Sequence, residues 1–341
     1  MPELETLGWD DDWKRAFEPF AADGHTPGRV AVQHRGAYDV TTGEGDVRAK
    51  VTPRLRRESA VAELPVVGDW VALAGDEITA VLPRRTAFVR RAAADAESGT
   101  VREQVVAANA DLVLVTAPLG QDVDRLVLER YVTLALQSGA EPVILLTKAD
   151  LVDEPAAAAA DLAGVGGEIP IEVVSAKEGT GVERVRELVR PGRTAALLGP
   201  SGAGKSTLVN TLSDDARLET ADVRPDGAGR HTTTRRQLVP IPGGGLLIDN
   251  PGMREVHLWL ADDGLDAAFP DVTELAASCR FADCGHETEP GCAIREALSA
   301  GTLSRERWDR YRALERELEA LAERLRRAER ARSRRGRRRE G

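Results

Sequence analysis

The chain is poor in lysine. Of 46 basic residues in 341, only Lys14, Lys50, Lys148, Lys177 and Lys205 are lysines. Cysteine is scarcer still: Cys279, Cys284 and Cys292 make an odd number in one short stretch, which argues against a disulfide framework. No apolar run approaches membrane-spanning length, and no amphipathic membrane helix or lipidation signal is evident. Residues 1–12 are acidic and lack the basic-then-apolar pattern of a signal peptide, so a cytoplasmic protein is expected. Internal repeats are absent. The length leaves room for about two or three domains.

What is present is unevenly charged. Residues 323–341 hold ten arginines and three glutamates, a segment of +7 on a chain whose net charge is −10. A basic tail on an acidic body is arranged to meet a polyanion such as RNA, or to serve as a solubilising tail.

Three of the five lysines fall inside short motifs that call for one. Gly199-Pro200-Ser201-Gly202-Ala203-Gly204-Lys205-Ser206-Thr207 follows an apolar run at 194–198 and reads as a strand, a phosphate-cradling loop and a helix start. Its glycines let consecutive backbone N–H groups turn inward, and the helix N-terminus adds partial positive charge. Lys205 is expected on the β- and γ-phosphates, Ser206 on magnesium, and Thr207 near the α-phosphate.

Thr147-Lys148-Ala149-Asp150 is a base-reading motif. The Asp150 carboxylate can accept two guanine N–H groups, which adenine does not offer, so GTP is expected over ATP. Thr147 stands where such motifs carry asparagine, and its hydroxyl can keep one hydrogen bond to the phosphate loop rather than two. Ser175-Ala176-Lys177 completes the base site, with the Ala176 N–H towards the guanine carbonyl. Asp249-Asn250-Pro251-Gly252 supplies a water-mediated magnesium contact at Asp249 and a γ-phosphate contact at Gly252.

Thr232, Thr233 and Thr234 are three candidates for a switch hydroxyl on magnesium. Met253 occupies the position of the usual water-positioning glutamine. Hydrolysis is therefore expected to be slow alone and to need another group, with His231 the candidate catalytic residue. The order of these motifs is rotated, with the base readers ahead of the phosphate loop, which implies a circularly permuted GTPase.

Cys279, Cys284, His286 and Cys292 form C-x4-C-x-H-x5-C, three thiolates and an imidazole suited to one closed, structural zinc site. Short β-type runs at 29–34, 66–73 and 78–82 predict a small barrel, OB-like or SH3-like on pattern alone. Arg84-Arg85 and Arg90-Arg91 flank it and would suit a nucleic-acid face, as they would plain solvated surface. From about 100 to 262, runs at 111–117, 142–146, 171–174, 194–198 and 245–248 alternate with helical stretches, predicting a parallel sheet covered on both faces. An alanine-rich surface helix is expected within 153–166. Trp308, Tyr311, Leu314, Leu318, Leu321 and Leu325 form one apolar stripe on a long helix, a docking face onto the body or a short coiled coil.

Together these motifs closely resemble the ribosome-small-subunit-dependent GTPase A family, the circularly permuted GTPases of bacterial ribosome assembly, over nearly the full length. The resemblance implies a multidomain α/β protein: an N-terminal OB-fold β-barrel, a permuted P-loop GTPase core with a parallel sheet, and a C-terminal zinc-binding helical domain. The expected divisions are a poorly ordered or lightly docked leader at 1–27, an RNA-binding barrel at 28–95, the GTPase core at 96–264, a zinc segment at 265–303 and the long helix with its arginine tail at 304–341. It also implies binding to the small ribosomal subunit and its rRNA, subunit-stimulated GTP hydrolysis, and a role in late maturation. Asn250 departs from the family's usual serine, and the arginine tail exceeds its core pattern. A monomer is the default expectation. The alternative readings are a nucleotide-gated RNA-binding scaffold with little turnover, or a permuted GTPase with a different partner.

Overall fold

The computed structural model describes residues 3–92, 102–213, 236–249 and 262–337. Strands β1 (Thr26–Gln33), β2 (Tyr38–Thr42), β3 (Gly45–Val51), β4 (Trp70–Ala74) and β5 (Glu77–Val81) follow one another in the order β1-β2-β3-β5-β4, and β4 returns to pair with β1. That pairing closes a five-stranded barrel and, with helix α2 (Pro53–Glu58) set between the third and fourth strands, makes it OB-like rather than SH3-like. Val30, Val40, Ala49, Val71, Leu73 and Ile78 fill its interior.

The leader is firmly docked, contrary to expectation. Helix α1 (Asp11–Ala21) is capped by the Asp10 carboxylate, which accepts from the Asp12 and Trp13 N–H groups at 3.0 and 3.1 Å. Trp9, Trp13 and Phe17 recur at helical spacing and bury against Trp70, with the Trp9 and Trp70 rings 4.6 Å apart. Pro19 inside the helix and the acidic composition mask this stripe in the sequence.

Arg84 and Arg85 do not form a free basic flank. The Arg84 guanidinium pairs with the fully buried Asp69 at 2.7 Å and donates to the Ala62 and Leu64 carbonyls. Arg85 pairs with Asp10 at 2.6 Å and covers the Trp13 ring, locking the leader to the barrel. A hairpin of β6 (Ala87–Ala92) and β7 (Arg102–Ala108) then leads into the core. The side chains of Arg90 and Arg91 lie outside the described residues.

The core sheet orders β10 (Ile171–Val173), β9 (Glu141–Thr147), β8 (Leu112–Pro118), β11 (Thr194–Leu198) and β13 (Leu246–Asp249), all parallel. Strand β12 (Arg236–Pro240) adds antiparallel to β13 and also pairs with β1, so barrel and core share one continuous sheet. Side chains alternate strictly. Leu112 and Leu114 pack under α5 (Val182–Leu188) and α6 (Lys205–Ser213), whereas Val113 and Val115 pack under α3 (Arg125–Gln137). Because both faces are covered, the strands read as unbroken apolar runs. The alanine-rich helix α4 (Pro155–Asp161) has no buried residue.

The C-terminal part comprises α7 (Asp262–Ala268), α8 (Pro270–Ala277), α9 (Ala293–Ala300) and α10 (Arg305–Arg337). Trp308, Leu314 and Leu318 on α10 are buried in the same cluster as Leu128 and Val132 of α3, so the first half of the stripe docks onto the body. The side chains of Leu321 and Leu325 lie outside the described residues. Glu129 on α3 is fully buried and accepts from Arg307 at 2.6 Å and Arg310 at 2.7 Å, both from α10. Arg307 also pairs with Asp271 of α8. Among the described residues no helix is long and apolar enough to cross a membrane.

Candidate functional site

The phosphate loop lies where β11 ends and α6 begins, at the carboxyl edge of the parallel sheet, the usual place for a ligand in such sheets. Gly199 has φ +143°, and a Cβ there would meet the Thr116 side-chain oxygen at 2.2 Å and its carbonyl at 2.4 Å, so only glycine fits without a shift. The Lys205 ammonium donates to the Gly199 and Pro200 carbonyls at 2.7 and 2.6 Å. Gly202 and Gly204 both have positive φ, Ala203 is buried beneath the loop, and Ser201 is exposed. Ser206 and Thr207 occupy the first turn of α6, where helix N–H groups are unpaired within the helix.

The residues expected to read the base come from the ends of β9 and β10. The Thr147 hydroxyl donates to the Ala203 carbonyl at 2.8 Å, a single strong tie between base reader and phosphate loop, and to the Ala117 carbonyl at 3.4 Å. Lys148 takes the left-handed conformation, φ +58°, which turns the chain back across the strand end. The Ala149 N–H donates to the Val174 carbonyl at 3.2 Å, tying this motif to the 175–177 segment.

The Ser175 hydroxyl donates to Asp150 at 2.7 Å and the Lys177 ammonium lies 3.7 Å from the other carboxylate oxygen. The Ser175 hydrogen bond, then the residue's own backbone N–H and the Lys177 charge, hold the Asp150 carboxyl below its ordinary range, so it is an acceptor at neutral pH. Thr147, Lys148, Asp150, Ala176, Lys177, Gly204 and Thr207 line one cavity of about 420 Å³, within the range of small-ligand sites. Asp249 ends β13, whose Ile248 pairs with Ala196 of the phosphate-loop strand, which brings Asp249 to the same sheet edge.

Two residues of the site escaped sequence reasoning. Thr116 is fully buried and its hydroxyl donates to the Leu198 carbonyl at 2.9 Å, bracing the phosphate loop from β8. Leu151 is 57% exposed and lines the base cavity, its position just after Asp150 being the only signal. His231, Thr232, Thr233, Thr234, Gly252 and Met253 lie outside the described residues.

The second site is formed by Cys279 after α8, Cys284 and His286 in the following loop, and Cys292 capping α9. Their ligand atoms all lie within 4.8 Å of one another. The Cys279 and Cys292 sulfurs are 4.0 Å apart, and His286 Nδ1 lies 3.6 and 3.4 Å from them. Tetrahedral Zn–S and Zn–N bonds would set these separations at about 3.8 and 3.5 Å, so the four residues can hold one zinc ion.

Desolvation, with the neighbouring thiols, pushes the Cys284 thiol up to about 11. Burial opposes ionisation at Cys279 too, but hydrogen bonds from the Ala293 and Ile294 backbone hold that thiol below its ordinary value. A dication would neutralise such a cluster of thiolates. His286 lies edge-on to Trp308 of α10, ring centroids 5.6 Å apart, so this site and the long helix pack together.

Comparisons with known proteins agree with the fold. Residues 81–259 match the family described as RsgA GTPase. The chain is 44% identical to the small ribosomal subunit biogenesis GTPase RsgA of Opitutus terrae, over 94% of this chain and 91% of that one. A protein of the same name from Streptomyces coelicolor is also 44% identical, over 92% of this chain and 86% of that one. The crystal structure of YjeQ from Thermotoga maritima superposes with a TM-score of 0.64 at 25% identity, covering 86% of this chain and 98% of that one. The fold is also that of YloQ, described as a circularly permuted GTPase, at a TM-score of 0.60 and 21% identity, over 87% of this chain and 96% of that one.

Proposed function

The chain belongs to the RsgA GTPase family and is a GTP hydrolase; from that premise we propose that it binds the small ribosomal subunit in the cytoplasm, as a monomer, and assists its late maturation. The single observation that carries this reading is the 44% identity over nearly the whole chain to proteins named for small-subunit biogenesis. Residues 199–207 cradle the phosphates, with Lys205 on the β- and γ-phosphates and Ser206 on magnesium. Asp150 reads guanine, Lys148 and Lys177 flank it, and the Ala176 N–H meets its carbonyl. Asp249 holds magnesium through water, Gly252 meets the γ-phosphate, and one of Thr232, Thr233 or Thr234 completes the magnesium shell when GTP is bound. One zinc ion on Cys279, Cys284, His286 and Cys292 supplies the folding energy of the short segment that carries them.

Met253 has no group to orient an attacking water, so turnover alone is slow and rises when the subunit engages the switch, with His231 as the catalytic candidate. The barrel and the arginine tail contact rRNA, and the nucleotide state sets the grip. In this permuted chain the magnesium-side motif leads almost directly into the zinc segment, so loss of the γ-phosphate repositions the C-terminal part against the barrel. Met253 also supports a second reading, a nucleotide-gated RNA-binding scaffold with little turnover. Co-sedimentation with small subunits in a non-hydrolysable GTP analogue and in GDP tests the gating. Tighter binding with the analogue is expected, and equal binding refutes it.

A further inference from the structure

The loop carrying Cys284 and His286 has little backbone bonding of its own. Among the described residues, no backbone–backbone hydrogen bond outside helices and strands begins or ends on residues 285–288. The Glu289 carboxylate takes that role instead. Gly285 N–H donates to one oxygen at 3.0 Å, and Glu287 and Thr288 N–H donate to the other at 3.0 and 2.9 Å. Arg295 of α9 donates to the Glu289 carbonyl at 3.4 Å, which anchors the residue to the helix behind the cluster.

These amides flank His286 on both sides. His286 itself has φ +61°, a conformation that side-chain-bearing residues avoid unless their surroundings impose it. The bend it imposes accompanies the placement of Nδ1 within 3.4 Å of the Cys292 sulfur. We propose that Glu289 is a positioning residue for the metal centre, its carboxylate templating the 285–289 turn so that Cys284 and His286 meet the ion already arranged.

This role rests on the zinc reading above. Converging backbone N–H groups are a ready site for an anion, and a carboxylate built into the chain fills it permanently. They hold Glu289, through its own N–H first and then that of Gly285, at about 2, so the template is ionised throughout the neutral range. Preorganisation of this kind acts on ligand affinity, because the bound loop no longer has to be ordered when the ion arrives.

The test uses the full zinc-loaded chain and the variants Glu289→Gln and Glu289→Ala, competed for zinc with a chromophoric chelator. Zinc loss is also followed by Trp308 emission, since that ring abuts His286. Glu289→Ala is expected to bind zinc about 10- to 100-fold more weakly, with Glu289→Gln between it and the parent. The thermal midpoint should fall further in the zinc-loaded chain than in the zinc-free one, because weakened zinc binding adds its cost only when the ion is present, whereas a merely structural residue would lower both equally. Both variants within about twofold of the parent would overturn the role of Glu289. A parent chain that retains no zinc would overturn the zinc reading first. Glu289→Gln keeps the side chain's shape, so the comparison stands even where the alanine variant does not fold.

Discussion

Replacing Glu129 with alanine strips two guanidinium groups of the carboxylate they share beneath α10. Glu129 is 0% exposed, and Arg307 and Arg310 are 9% and 18% exposed at their side chains, so water cannot take over the charges. Breaking a buried pair from one side costs about 3–5 kcal/mol, most of it the stranded charge. Here Arg307 keeps Asp271 at 2.8 Å, the Ala268 carbonyl and the face of Phe269, so Arg310 bears most of the loss. The low end, about 3 kcal/mol, is the expected value. It falls on the docking of α10, because the pair joins α10 to α3 and touches no strand of the core.

Amide hydrogen exchange reads this directly, since sub-global opening of α10 exposes its N–H groups without unfolding the sheet. At about 1.4 kcal/mol per tenfold, exchange across residues 305–318 should accelerate by about 150-fold, while β8, β9 and β11 keep their protection. Glu129→Gln, which keeps the shape but not the charge, should fall between. Acceleration of less than about fivefold, equivalent to roughly 1 kcal/mol, would show that the pair is solvated and that apolar contacts alone hold α10.

Two further outcomes follow from the same geometry. Asp150→Asn trades an acceptor of two guanine N–H groups for a mixed donor and acceptor, so GTP affinity should fall by about 100-fold or more, and xanthine nucleotides, with a carbonyl at the matching position, should bind better. Titration calorimetry with both nucleotides checks it, and an unchanged preference for guanine would contradict it. Hydrogen bonding to Arg85 is the main cause that lowers Asp10 to about 2 in the folded chain, so its contribution to stability is complete above about pH 4 and is lost as pH falls from there towards 2. The emission of Trp9 and Trp13 should report loosening of α1 across that window. Asp10→Asn should remove this step, and a step that persists in the variant would place the titrating group elsewhere.

The parts of the fold that announced themselves in the sequence are those whose physics is local. The five core strands read as apolar runs because both of their faces are buried, and the phosphate loop is legible because its glycines and Lys205 must be contiguous. The Cys/His cluster is legible because all three cysteines fall in one short span. What stayed hidden depends on partners far along the chain. Arg84 looks like surface charge until Asp69, fifteen positions earlier, is found buried beside it.

Strand β12 is only half buried, so it carries no apolar signature, and its pairing with β1 across some two hundred positions has none either. Helix α1 shows its aromatic stripe only once Trp70 is known to receive it. The barrel's type rests on β1 meeting β4, which short β-runs do not reveal. Thr116 and Glu289 escaped for one reason: each acts on backbone groups rather than on the ligand, and backbone partners leave no pattern in residue identity.

The most direct test of the account is phosphate release from GTP and from ATP by the purified chain, alone, with small ribosomal subunits and with large ones. Slow release alone, with a rise confined to GTP in the presence of small subunits, is the predicted result. Equal release with either particle or with neither, or stimulation of ATP as much as GTP, would contradict it.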